Sequence, residues 1–414
     1  MKVLLFPVGS YGDVHPYTGL GLELKRRGHE VTVVTSQFYT ELMDQVGLHL
    51  EPIDSLEEHE TILNDPLLFH PTRGFATVAK HIILPWQMRQ YELIQRLMTD
   101  DTVIVGPCMA MGLPLAHEKL GVPWVTIHLQ PSVFWSNIDP PKLKAGIPTG
   151  PGYPQFWNAA FYWLANKIIL DPVLKKTTNA NRASLGLPPV KRASTLWHSP
   201  QRSLGFFPEW YAPQQPDWPP QTQLTGFPMW DESSIEPLDD GVLKFLNQGD
   251  PPIAFTPGSG MVNANQFFAE AAKACQQMGR RGILLTRFPE QIPDNLPKSV
   301  RHFSFVPLSQ LLPHCAALAY HGGIGTLSQA CQAGVPHLIM PMSFDQPDNA
   351  ARIKRLGIGD WLLPKHFKAT QVAQKLTALI ESAAVKKNCE AIAEKMRENQ
   401  CLPEAADAIE AVVE

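Results

Sequence analysis

The chain is 414 residues long, 44% of them apolar, with a formal net charge of −4. That length exceeds one ordinary core and predicts two domains of roughly 200 residues each, while the apolar fraction excludes a disordered chain. The dispersed basic residues exclude a nucleic-acid-binding stripe, and six scattered Cys, none in C-x-x-C spacing, exclude a zinc ribbon or a dithiol redox site and fit a reducing, cytoplasmic compartment.

The first segment, "KVLLFPV", reads as a buried strand. Its apolar run is too short for a signal peptide and breaks at Pro7 and Gly9. "PYTGLGLELKRRG" reads as a helix with Pro16 in the first turn and Gly28 as its C-cap. "HEVTVVTS" is the second strand. "TVIVGP", a helix around Met111–Leu120 and "PWVTIHLQ" continue the alternation, which implies a parallel, doubly wound sheet. Residues 216–238 are dense in Pro and read as a stiff linker with little structure of their own. Beyond them the alternation restarts with "PPIAFTPGSG", a helix near Gln266–Met278, and the strands "RGILLTR", "VRHFSFVP", "AALAY" and "HLIMP". The expected organisation is therefore an N-terminal domain (1–215), the linker (216–238), a C-terminal domain (239–395) and a final helix (396–414) that packs back on the first domain. No apolar run reaches 18 residues, so no transmembrane helix is expected.

Three strand-to-helix turns carry chemistry. "GSYGD" (Gly9–Asp13) lacks the G-x-G-x-x-G spacing of a dinucleotide site, and strand two ends without a carboxylate for a ribose. "TPGSG" (Thr256–Gly260) has Gly258 and Gly260 for close backbone approach and the Ser259 hydroxyl. "YHGGIGT" places Gly322, Gly323 and Gly325 beside His321 at a helix start near Thr326. Outward N–H groups there, with His321 donating a hydrogen bond or supplying positive charge, match a diphosphate. At a fourth junction, Asp345 and Gln346 combine acceptors and donors suited to sugar hydroxyls; Asp345 also reads as a helix N-cap. No P-loop is present, and no D-x-D for a metal; Asp100–Asp101 and Asp239–Asp240 read as solvated loop charge.

The stretch "HGGIGTLSQACQAGVPHLIMPMSFDQPDNA", with "GSYGDVHP" at the start, resembles the nucleotide-sugar glycosyltransferases that include plant, macrolide, sterol and glycopeptide enzymes. Within them it looks most like the bacterial rhamnosyltransferases of rhamnolipid synthesis, with sterol glucosyltransferases next. The resemblance implies the α/β GT-B fold, two doubly wound Rossmann-like domains facing across a cleft. It implies an inverting transfer of a hexose from a UDP- or dTDP-sugar, without metal or other cofactor. Ser259, His321, Gly322, Gly323, Gly325 and Thr326 would hold the diphosphate. Phe305, Val306 and Gln329 would hold the nucleoside, with Phe305 where plant members carry Trp, Leu308 where they carry Gln, and Gln329 where many UDP-sugar enzymes carry Glu. Asp345, Gln346 and Asn349 would hold the sugar. Asp13 stands where many members have a basic His and is the expected base, with His15 as the alternative and an Asx turn as the structural reading of Asp13.

The acceptor is expected to be small and apolar, a hydroxy-fatty acid lipid or a sterol. "HIILPWQM", "PSVFWSN" and "YPQFWNAAFYWLANKIIL" suggest Trp86, Phe134, Trp135 and Phe156 as pocket residues, although such segments also suit core helix faces. The 153–170 stretch suits peripheral contact at the inner face of a membrane, though it lacks a clear basic face.

Overall fold

The computed structural model describes residues 1–413 except 69, 71, 144–148, 236–237 and 262. The chain divides into two compact units: residues 1–9, 13–228 and 400–414 form the first, and 10–12 with 229–399 form the second.

The first unit is built on a parallel sheet of seven strands: β1 (Lys2–Leu5), β2 (Glu30–Thr35), β3 (His49–Pro52), β4 (Thr102–Gly106), β5 (Trp124–His128), β6 (Arg202–Gly205) and β7 (Thr222–Leu224). They lie in the order β3-β2-β1-β4-β5-β6-β7. Strands buried on both faces read as continuous apolar runs, and β1, β4 and β5 are of that kind. Strand order reverses between β1 and β4, which pair Leu5 with Val105. Ligands of open α/β sheets bind beyond the carboxyl ends of strands at such a reversal.

Two expectations are corrected here. Helix Tyr11–Arg26 begins ahead of Pro16, so Pro16 lies inside it and Asp13 sits in its first turn. The Pro-rich stretch is not structureless: it carries β7, which pairs in parallel with β6. Its Pro residues flank the strand, with Pro219 and Pro220 just before it and Pro228 after it, where a missing N–H breaks no ladder bond. Residues 236–237 of that stretch lie outside the described residues.

The final helix, Cys401–Glu410, belongs to the first unit. It buries Cys401, Ala405, Ala406, Ala408 and Ile409. Arg27 bridges Asp407 and Glu410 at 2.5 and 2.9 Å, and His29 meets Glu410 at 2.6 Å.

The second unit has a six-stranded parallel sheet: β8 (Ile253–Thr256), β9 (Gly282–Leu285), β10 (Val300–Phe303), β11 (Ala317–Tyr320), β12 (His337–Ile339) and β13 (Gly359–Trp361). Its order is β10-β9-β8-β11-β12-β13. Helix Asn265–Met278 supplies Phe267 and Phe268 to the core on one face, and Phe267 stacks on Phe367 with ring centroids 4.8 Å apart. Asp239 accepts a hydrogen bond from the Gly241 N–H, so it caps helix Asp240–Leu246 and is not a loose loop charge. Strand order reverses between β8 and β11, with Thr256 opposite Tyr320.

Candidate active site

In the second unit the two Gly-rich turns leave adjacent strands at this reversal. His321 is clasped between them. A Cβ on Gly258 would lie 2.9 Å from its Cε1, and one on Gly323 2.4 Å from its Nε2. Only glycine lets both backbones close on the ring. Burial lowers the His321 pKa to about 4, so the ring is neutral near pH 7. A neutral ring there can donate one hydrogen bond. Its buried Nδ1 has no partner.

Helix Ile324–Ala333 begins directly after this clasp, two residues earlier than expected, and no side chain caps its N-terminus at Gly323. The first-turn N–H groups thus meet whatever ligand or solvent lies there. Thr326 is half-buried in that turn, and Ser259 is exposed on the neighbouring one. Gly322, at φ +98°, is held by the Asn349 amide, which donates to its carbonyl at 2.8 Å.

Asn349 is fully buried and also donates to Asp345 Oδ2 at 2.6 Å. Gln346 Oε1 accepts from the Met342 and Ser343 N–H groups at 2.8 and 3.2 Å. The side-chain oxygen of Gln346 and the amide of Asn349 therefore hold the loop together. Asp345 stands at the N-cap position but makes no side-chain cap bond. Before it, Phe344 adopts φ +57° and is 41% exposed, a strained conformation for a residue with a Cβ. Nothing in the sequence announces this strain.

Phe305 faces the Arg287 guanidinium, 4.8 Å from its ring centroid. Arg287 also lies 4.0 Å from Glu232, which is buried. Sequence reading missed Arg287, because a single Arg after a strand carries no local signal. Val306 is buried beside Phe305. Gln329, on the inner side of helix Ile324–Ala333, is buried with its Oε1 unpartnered.

In the first unit, Asp13 lines a small cavity of about 20 Å³, room for one water-sized group, with Tyr17, Pro107, Cys108, His128, Gln130 and others. Gly9, at φ +136°, is backed by the Asp13 carboxylate, and a Cβ there would lie 2.2 Å from Oδ2. The Tyr17 hydroxyl and His128 Nδ1 are buried without partners. Burial, Cys108 and Asp13 all raise the Tyr17 pKa, so the phenol stays protonated. His15 is not among the lining residues; residues two apart on a helix do not share a face.

His128 Nε2 lies 2.9 Å from His198 Nδ1. Burial, then His198, pushes the His128 pKa well down, and burial brings His198 to about 4. The pair is neutral at pH 7, one ring donating to the other. His198 lines a second cavity of about 430 Å³ with Phe134, Trp135, Trp197, Asp217 and Trp218; Val133 borders both cavities. Phe134 stacks on Trp218 at 4.5 Å, and Trp135 on Tyr162 at 5.0 Å. Two of the four expected acceptor residues lie elsewhere. Trp86 is 5% exposed within the apolar core, and Phe156 is 74% exposed on the outside of its helix. Among the described residues no cluster of His, Cys, Asp or Glu could hold a metal ion.

Two parallel sheets of this order, each with a ligand-ready turn at its reversal, define the GT-B architecture. Residues 3–134 match the glycosyltransferase family 28 N-terminal domain, and residues 284–412 match the C-terminal domain of erythromycin biosynthesis protein CIII-like proteins. The O-mycaminosyltylonolide 6-deoxyallosyltransferase of Streptomyces fradiae is 29% identical over 97% of this chain and 96% of its own. A solved glycosyltransferase of kitacinnamycin superposes with a TM-score of 0.75 at 19% identity, covering 100% of this chain and 99% of its own. The glycosyltransferase VinC, solved with dTDP, gives a TM-score of 0.67 at 19% identity over 100% and 99% of the two chains. The chain belongs to this family of GT-B glycosyltransferases, with the macrolide and glycopeptide enzymes among its relatives.

Proposed function

We propose that the protein moves a 6-deoxyhexose, rhamnose foremost, from its dTDP derivative to a hydroxyl of an apolar acceptor, with inversion and without a metal. The observation that carries the reading is the clasped His321 directly ahead of an uncapped helix N-terminus. Asp13 takes the acceptor's hydroxyl proton as that oxygen attacks the anomeric carbon. The bond from that carbon to the diphosphate breaks, and dTDP leaves with the electron pair. Negative charge grows on the diphosphate as the bond breaks. The N–H groups of residues 324–326, the neutral His321 ring and the Ser259 hydroxyl meet it with preset dipoles.

Arg287 on Phe305 offers a surface for the base. The unpartnered Gln329 oxygen suits a nucleoside hydroxyl donor. A relative named for 6-deoxyallosyl transfer and a neighbour solved with dTDP favour a thymidine nucleotide and a deoxyhexose. The aromatic cavity beside Phe134 and Trp135 favours an apolar acceptor, a hydroxy-fatty acyl lipid or a polyketide-like alcohol.

The test is thermal stability with dTDP, UDP, GDP and ADP in the presence of EDTA. At about 100 times its Kd a nucleotide stabilises by about 2.7 kcal/mol. The largest shift is expected with dTDP. A larger shift with UDP would turn the reading to glucosyl transfer onto a sterol or similar product, and no shift with any of them would remove the diphosphate site.

A further inference from the structure

The helical run Gln155–Leu170, which ends in the π-helical turn Asn166–Leu170 and continues into helix Asp171–Ser184, is amphipathic in the wrong sense for a surface helix. Its buried stripe holds Asn158, Asn166, Thr178 and Arg182 between Tyr162, Ala165, Leu170 and Leu174. These inward polar groups are largely tied down: Asn158 Nδ2 donates to the Asn137 carbonyl at 2.9 Å, although its Oδ1 has no partner, and Arg182 forks onto Glu118 with two bonds of 2.7 Å. The outward side is apolar instead. Phe156 is 74% exposed, Ile168 60%, and Trp157, Trp163, Leu164 and Ile169 are each exposed by more than two fifths. Globular helices turn apolar residues inward, and a continuous exposed apolar face marks an interaction surface.

The charge around this face indicates what covers it. Residues 151–200 contain six Lys or Arg and one Asp in a chain whose total is −4; with Arg182 buried against Glu118, five cations and one Asp remain. The sequence alone shows no clear basic face, because only Lys167 lies within the apolar run and the other cations follow it. Lys167 stands over the Trp163 ring, 4.9 Å from its centroid, and Lys176, Lys191 and Arg192 are exposed. Exposed Trp, Ile and Leu beside Lys167, with no Asp or Glu in residues 155–170, is the composition of a segment that lies in a bilayer interface. A second copy of this chain would set like charge against like.

We propose that the outward face of residues 155–170 docks on an anionic lipid bilayer, with the apolar side chains in the headgroup–acyl boundary and Lys167, Lys176, Lys191 and Arg192 against lipid phosphates. The inference stands apart from the choice of sugar and nucleotide.

The test is co-sedimentation of the full chain with vesicles of equimolar phosphatidylglycerol and phosphatidylcholine, and with phosphatidylcholine alone. Binding is expected only to the anionic vesicles and falls as salt is raised. Leu164→Glu with Ile168→Glu should lower that binding by about tenfold or more, while melting temperature and dTDP affinity stay unchanged. Lys176→Glu, which leaves the apolar face intact, should weaken it less. Absence of binding to anionic vesicles would overturn the proposal. So would binding that survives the double substitution, or a dimer in solution that the same substitution dissolves.

Discussion

Asp13→Asn isolates the proposed base from everything around it. The two side chains have the same size and shape, so the close packing against Gly9, where even a Cβ would come within 2.2 Å of the carboxylate, is preserved. What changes is proton affinity: an amide cannot accept the acceptor's proton. General-base catalysis is worth ~100- to 10,000-fold, equivalent to about 3–5 kcal/mol of barrier. The loss is expected in kcat, read as dTDP release in single-turnover experiments, with dTDP affinity within about twofold of the parent, since each residue named for the diphosphate lies in the second unit. Asp13→Glu keeps the base but moves it by one methylene; a misplacement of ~1 Å costs ~100-fold, so this variant should retain some activity. Asp13→Asn with more than about a tenth of the parental kcat would refute the role of this carboxylate.

Asn349→Ala removes two hydrogen bonds, one to the Gly322 carbonyl and one to the Asp345 carboxylate. A neutral bond and a charged bond together are worth about 2–4 kcal/mol, so denaturant unfolding of the second unit should shift to lower concentration and dTDP affinity should fall with it; an unchanged unfolding curve would contradict the anchoring role. His337 is fully buried, and burial lowers its pKa to about 3. The unfolded chain takes up a proton below its ordinary pKa of about 6.5 while the native imidazole does not, so His337 by itself should make stability fall by about 1.4 kcal/mol per pH unit from pH 6 downward, in addition to the like contributions of His128, His198 and His321. His337→Gln should be less stable at pH 7 but flatten that slope by about one proton; an unaltered slope would show that His337 titrates normally.

The donor turn was legible because its signal is local. A strand, a His, three Gly and a helix follow one another within a dozen residues, and their spacing survives folding. The start of the first helix was placed too late, because Pro16 resembles a first-turn residue, whereas here it sits inside a helix already begun at Tyr11. Strand β7 was hidden by the Pro residues around it. The 153–170 segment could not be oriented from sequence: aromatic residues signal burial, and here most of them face out while two Asn face in. Contacts between distant residues left no trace at all. His128 and His198 are 70 residues apart, and Arg287 reaches Phe305 across a strand and its connection.

The membership of helix Cys401–Glu410 in the first unit has a consequence for how the protein comes into being. Chains emerge N-terminus first, and domains generally fold as units as they appear. Here the first unit's seven strands are complete by residue 224, yet the helix that covers Thr225 and pairs with Arg27 and His29 is made only after the whole second unit. A nascent chain that has just finished the second unit still carries an unclosed first one, with the site for the buried Cys401, Ala405 and Ile409 uncovered. Loss of residues 401–414 would therefore injure the part of the molecule made first rather than the unit that directly precedes them.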